Sequence, residues 1–544
     1  MSNVHHAAYV LGVFTILASI LAFLRDRLLA HTFGAGLELD IYYAAFRLPD
    51  TIFILIASLV SAYILIPEII KRTDERSMRD YIETVTAGFF LAIAAVSALV
   101  FVFTPEVLAL LFPSYAGGAQ ADTLVSMTRI LLLQPILLGF SNILAAVVQV
   151  KGRYVIYALS PVFYNLGIMI GVVAIYPFWG LDGLAWGVVL GALLHVAIQI
   201  PTVWKQRAFP TVPLVRDFRA LARTIGISLP RTLALSMNQI VLLVFAGIAA
   251  TMTAGSLTVF TFAFNLQSVP LAIVGASYSV AAFPTLARMF SNGSKSDFVS
   301  QVQVAARHIV FWSLPIIGLS IVLRAHLVRV VLGSGAFDWA DTRLTAAALA
   351  LFIVSLAAHA LTLLLVRGYY AAGRSYIPFF VQAGFAAVAI IFAWLSAKVL
   401  ASGSSLWFFE ALFRVEGVPG TAMLALPLAY SFAAIVSAVV LVFLFERHFG
   451  NFISGLLRTL GEGFVAAAIG SVVAYGVLVF LGGISEATTF VEVLLYGFLA
   501  GGAGLVSTTA TFAILGSREL AEAYAALHRR VWRISPVSSA EEEV

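Results

Sequence analysis

Apolar stretches of about 20 residues, each long enough to cross the hydrocarbon core of a bilayer as a helix, recur along nearly all of this 544-residue sequence. Only short polar breaks separate them. Inside a bilayer every backbone N–H and C=O must be satisfied within the protein, which leaves helices and closed barrels as the spanning forms. The length of the runs selects helices. A soluble domain carries roughly 25% charged residues, whereas this chain carries 11%, against 61% hydrophobic. The expected fold class is therefore an all-α integral membrane protein.

Spans are expected near 7–30, 41–70, 83–112, 124–149, 156–178 and 181–203, then 220–252, 256–289, 304–332, 343–371, 376–400 and 420–446, with a last pair near 459–481 and 488–515. That makes about fourteen. Short cytoplasmic loops concentrate Lys and Arg, and alternate breaks here are basic. One set holds Lys71, Arg72, Arg76 and Arg79, then Lys151 and Arg153, then Lys205, Arg207, Arg216, Arg219 and Arg223, with further clusters up to Arg529, Arg530 and Arg533. The intervening breaks 113–123, 179–181 and 252–256 contain neither residue. Both termini are thus expected in the cytoplasm, with 401–419 as the one long outer connection and the tail through Glu541, Glu542 and Glu543 solvated. The N-terminus lacks the basic region of a signal peptide, so its first apolar run is read as a retained helix.

An internal repeat appears at a separation of roughly 220 residues: Ala45-Phe46-Arg47-Leu48 before Pro67, and Ala263-Phe264-Asn265-Leu266 before Pro284. Six helices per repeat keep both halves in one orientation, so two lobes related by a pseudo-twofold along the membrane normal are expected. The divisions are 1–215 for the N-terminal lobe, 216–450 for the C-terminal lobe, 451–516 for the added helix pair and 517–544 for a cytoplasmic tail.

Several chemistries are excluded. The absence of cysteine removes disulfides, thiolate metal sites and cysteine nucleophiles. No HExxH or GxxxxGK[ST] pattern is present, and the net charge of +5 is scattered rather than gathered into a basic tract for nucleic acid. What remains are ionisable residues within spans, each costing about 2.5–3.5 kcal/mol at a helix centre on insertion scales. Arg25, Asp26 and Arg27 close the first span, and Asp40, Arg47 and Asp50 occupy the second. Asp40, Tyr43, Arg47 and Asp50 share one stripe if the helix persists past Pro49. That stripe is expected to face a cavity in which Arg25 and Arg47 bind an anion and the carboxylates hold the guanidinium groups. The alternative is that Arg25 and Arg27 reach the interface and Asp40 caps its own helix. Arg231, after Pro230, and Asn265 are further candidates for the cavity wall. The glycines of the last two spans, among them Gly470, Gly476, Gly502 and Gly504, suit close helix packing.

These residues resemble the MviN or MurJ-type lipid II flippases of the multidrug/oligosaccharidyl-lipid/polysaccharide exporter superfamily. Phe23-Leu24-Arg25-Asp26, Phe33-Gly34-Ala35-Gly36, Asp40, Ala45-Phe46-Arg47-Leu48-Pro49 and Pro67 carry the likeness, with Gly152-Arg153, Leu184-Ala185-Trp186-Gly187 and Gly335-Ala336-Phe337-Asp338 following in order. The resemblance implies a central cationic cavity and alternating access that carries an anionic polyprenyl-pyrophosphate-linked cell-wall precursor outward across the bacterial inner membrane. It implies substrate contacts at Arg25, Asp26, Asp40 and Arg47. Ser19, Phe53-Ile54 and Asn265 stand where the family has basic residues, and Asp50 where it has Asn. No cofactor is expected, and a coupling ion, Na+ or H+, is left open. A monomer in contact with membrane lipids, and with cell-wall synthesis proteins, completes the reading. A cation-coupled drug or polysaccharide exporter of the same superfamily and a non-transporting membrane scaffold are the alternatives.

Overall fold

The computed structural model describes residues 2–57, 60, 62–72, 74–206, 208–210, 214–401, 406–482 and 489–531. Arg207, residues 402–405 of the long connection, Arg533 and the tail with Glu541–Glu543 lie outside these, as do the side chains of Arg529 and Arg530. Among the described residues there are helices and connecting turns but no strand. Ten helices among the described residues are long and apolar enough to cross a membrane, or eleven if Trp339–Ile353 and Leu356–Ala371, bent by 44°, form one span. The expected number is larger for identifiable reasons. Tyr154–Lys205 is one helical stretch of 52 residues, yet Gly180 breaks it with φ 58°, so it holds both the 156–178 and 181–203 spans. The first expected span includes residues whose side chains are not described. The second is divided into Leu37–Ile52, a wider π-type turn at Phe53–Ala57 and Ala62–Ile70.

The internal repeat is visible in local geometry. Leu37–Ile52 contains Pro49 and runs into the π turn Phe53–Ala57, followed by a helix containing Pro67. Ser256–Leu271 contains Pro270 and runs into the π turn Ala272–Ala276, followed by a helix containing Pro284. Proline lacks an N–H and its ring crowds the carbonyl one turn back, so widening the next turn relieves the helix without ending it.

Helix starts follow side-chain chemistry. Asp74 accepts from the Ser77 N–H, Asp217 from the Ala220 N–H, and Asp338 with Asp341 forms a reciprocal capping box; each satisfies backbone donors that the first turn leaves orphaned. The chain folds into two compact units. One comprises Met1–Val269, Arg324–Ala358 and Tyr369–Leu441; the other comprises Pro270–Leu323, His359–Gly368 and Val442–Val544.

Within the first unit, breaks assigned to one membrane face by their charge do meet. Arg216, from the basic break 205–223, pairs with Asp80 at 2.6 Å and Glu83 at 3.0 Å, beside the basic break 71–79. Three breaks without Lys or Arg also meet: the Ala336 N–H donates to the His31 carbonyl at 2.9 Å, the Ala35 N–H to Asp341 at 3.1 Å, and the Gly255 N–H to Asp40 at 2.7 Å. Gly34 and Gly335 lie in this cluster at φ 64° and 59°, where a Cβ would stand 2.6 Å from the Ala336 oxygen and 2.3 Å from the His31 oxygen. Only glycine combines that backbone conformation with so close an approach.

Candidate functional site

The first two helices supply the ionisable side chains, and the structure sorts them by their partners. Helix Leu37–Ile52 persists through Pro49, so Tyr43, Arg47 and Asp50 share the expected stripe. All three line a cavity of about 270 Å³, together with Arg25, Asp26 and Asn265. Tyr42, Tyr164, Gln239 and Thr261 add polar or aromatic wall.

Arg25 is fully engaged. Its Nε and Nη2 donate to one Asp26 oxygen at 3.0 and 2.7 Å, and Nη1 donates to Asn165 at 3.0 Å. The second Asp26 oxygen accepts from Asn265 at 3.0 Å. This paired, hydrogen-bonded arrangement is what a low-dielectric interior demands of a charge. Arg47 differs. It is only 9% exposed, yet its recorded hydrogen bond goes from Nη2 to the neutral Thr261 hydroxyl at 3.2 Å. Its Nε has no partner, and among the described residues no carboxylate lies within ion-pair distance of it. Asp50, one turn further on, accepts among the described residues only a long 3.4 Å contact from Gln134. Two guanidinium groups face two carboxylates, so the expected cationic cavity is balanced in formal charge. Because Asp26 already occupies Arg25, the cation available to a guest is Arg47.

Asp40 stands apart from this cavity. At 1% exposure it accepts from the Gly255 N–H, the Thr258 N–H and the Thr258 hydroxyl, each at 2.7 Å. It thus caps helix Ser256–Leu271 from a helix more than 200 residues earlier in sequence, placing its charge at the positive end of that helix. The sequence alternative had Asp40 capping its own helix; the capped helix is a different one. Arg231, on Phe218–Ala250, is absent from the cavity wall, while Gln239 on the same helix is present. Asn238 accepts instead from the Tyr430 hydroxyl at 2.9 Å. Arg27 donates to the Val330 carbonyl at 2.6 Å, a structural contact. Tyr164, Gln134 and Thr261 are not legible as site residues in the sequence, because polar neutral residues on apolar helices carry no periodic signal. Among the described residues, no group of three His, Asp or Glu side chains is placed to hold a metal ion.

The family model for lipid II flippase MurJ matches residues 29–495. This chain belongs to that family. Relatives include the probable lipid II flippase MurJ of Buchnera aphidicola subsp. Schizaphis graminum, 24% identical over 69% of this chain and 74% of that protein. The lipid II flippase MurJ of Burkholderia cenocepacia is 23% identical, with 68% and 73% covered, and the probable lipid II flippase MurJ of Haemophilus influenzae 26% identical, with 74% and 84% covered. A solved structure of lipid II flippase MurJ in an inward closed conformation superposes with TM-score 0.70 at 18% identity, covering 93% of this chain and 99% of its own. An inward-facing multidrug resistance MATE transporter of the MOP superfamily follows at TM-score 0.62 and 15% identity, covering 81% and 95%. The fold is therefore that of MurJ proteins, shared with the MATE transporters, and the chain is a multi-pass membrane protein. The family match begins just after Arg25 and Asp26, so those two residues rest on their geometry.

Proposed function

We propose that this protein moves an anionic polyprenyl-pyrophosphate-linked cell-wall precursor, lipid II or a close chemical relative, from the inner to the outer leaflet of the bacterial inner membrane. The observation that carries this reading is Arg47: a buried guanidinium with no carboxylate within ion-pair distance among the described residues, on the wall of a cavity lined by hydrogen-bonding side chains. Such a group is costly unless a guest anion completes it, and its planar donor fork suits a phosphate. At about 270 Å³ the cavity falls below the roughly 300–1,000 Å³ of small-molecule sites. Transport of a glycan headgroup therefore requires it to widen, as alternating access supplies. Both termini lie in the cytoplasm, the protein works as a monomer, and Na+ or H+ serves as the coupling ion in this reading.

The test is depletion in the native organism, complementation, and measurement of precursor exposed on the outer leaflet. Wild type should restore exposure, and Arg47→Ala should not, at equal membrane abundance. Equal rescue by both overturns the assignment. The antiporter alternative draws on Asp50, whose carboxylate faces the same cavity; it requires that Asp50→Asn abolish transport while Arg47→Ala spares it.

A further inference from the structure

A second hollow, of about 1170 Å³, lies away from the central cavity on helices Glu75–Val102, Thr104–Leu111, Ala119–Leu131 and Leu133–Val150. Part of the wall is built of small residues: Ala94 and Ala98, one turn apart on Glu75–Val102, and Ala109 on Thr104–Leu111. The opposite wall presents Val125 and Ile136, with Trp186 at the edge. Of these, Arg76–Val102 and Ala119–Val150 are long and apolar enough to cross a membrane, so a groove on their surface meets hydrocarbon. Two ionisable residues break the apolar lining, Arg129 and Asp122, and among the described residues no ion pair joins them. Arg129 lies with its guanidinium 4.8 Å from the Phe101 ring, and its Nε donates to the Phe101 carbonyl at 3.2 Å. That carbonyl belongs to the last turn of Glu75–Val102, where intrahelical donors run out, so Arg129 holds the helix end with one edge. Among the described residues its two terminal nitrogens donate no hydrogen bond and no carboxylate lies within ion-pair distance. The Ser97 hydroxyl, also on the lining, is buried without a partner.

We infer that this groove binds an anionic phospholipid of the surrounding bilayer, its phosphate on the terminal nitrogens of Arg129 and an acyl chain along the alanines. Charge complementarity selects this occupant: a zwitterionic lipid would meet the guanidinium with no net charge, and a chain alone would leave it unanswered. The break between these helices, 113–123, contains no Lys or Arg to compete for an anionic headgroup.

Brominated acyl chains quench nearby indoles, and Trp186 reports on the groove. The full chain is reconstituted in phosphatidylcholine nanodiscs containing about one-tenth brominated phosphatidylglycerol or, in a parallel set, brominated phosphatidylcholine. The Trp186 contribution is the difference between wild type and Trp186→Phe. Several-fold stronger quenching by the anionic lipid is expected, the preference vanishing in Arg129→Gln and the quenching itself falling in Ala98→Phe, which fills the groove while leaving Arg129 in place. Melting temperatures of both variants identify any loss of fold; if Arg129→Gln melts early, Arg129→Lys, which retains charge, must keep the preference. Equal quenching by the two lipids, an unquenched Trp186, or displacement of the brominated lipid by a polyprenyl phosphate but not by unlabelled phosphatidylglycerol would each overturn the inference.

Discussion

Keeping a guanidinium inside a membrane protein with no carboxylate at ion-pair distance costs about 2.5–3.5 kcal/mol on insertion scales, and the hydrogen bond Arg47 makes to Thr261 returns about 1 kcal/mol net. Replacing Arg47 with Met, similar in reach and apolar, should therefore leave the protein as stable as wild type or more so, by about 2 kcal/mol, while abolishing precursor exposure. Thermal unfolding in nanodiscs beside the complementation assay separates the two effects; a lowered melting temperature would make Arg47 a structural residue. Asp40 should behave the opposite way. Its carboxylate answers three donors, and Asn offers one neutral oxygen in its place. Asp40→Asn is expected to cost about 1–3 kcal/mol, read as a lower melting temperature, with any loss of transport following from that instability.

Helix pairs set a different kind of constraint, because in lipid no hydrophobic effect drives helices together and close packing must do it. In the second unit, helices Ser454–Phe480 and Phe490–Ile514 touch through Gly470 and Gly504: a Cβ on Gly470 would stand 2.0 Å from the Thr508 hydroxyl and 2.9 Å from the Gly504 carbonyl. Gly470→Leu should force the pair apart, costing about 1–3 kcal/mol as overpacking does and lowering membrane abundance. Gly476→Ala, six residues away on the same helix with nothing within 4 Å of its Cβ, should be neutral or slightly stabilising. Comparable losses at both positions in a fluorescence-detected size-exclusion assay would refute the packing account. The glycine richness of these helices was plain in the sequence, but composition could not say which glycines face the partner, since that depends on rotation about the helix axis.

At the scale of the whole chain, the membrane-spanning class and the approximate spans were legible because the bilayer imposes one length and one polarity on every crossing. The stripe Tyr43, Arg47 and Asp50 was legible because helical periodicity survives Pro49. What the sequence could not yield was pairing across distance: that Asn165 and Asp26 together saturate Arg25, or that Asp40 caps a helix beginning at Ser256, since neither partner has a local signature. Those distant pairings also define what must separate during transport. The cluster joining His31, Ala35 and Asp40 to Ala336, Asp341 and Gly255 closes one end of the first unit, and alternating access requires that end to open. Backbones hydrogen-bonded at 2.9 Å between His31 and Ala336 bring their Cα atoms into the range a disulfide spans. Because the chain has no cysteine of its own, the double variant His31→Cys/Ala336→Cys introduces a single possible bridge. Oxidised, it should block precursor exposure, and reductant should restore it, whereas each single cysteine variant should transport under both conditions. Undiminished transport by the verified crosslinked protein would show that this end never opens, and alternating access about the Arg47 cavity would fall with it.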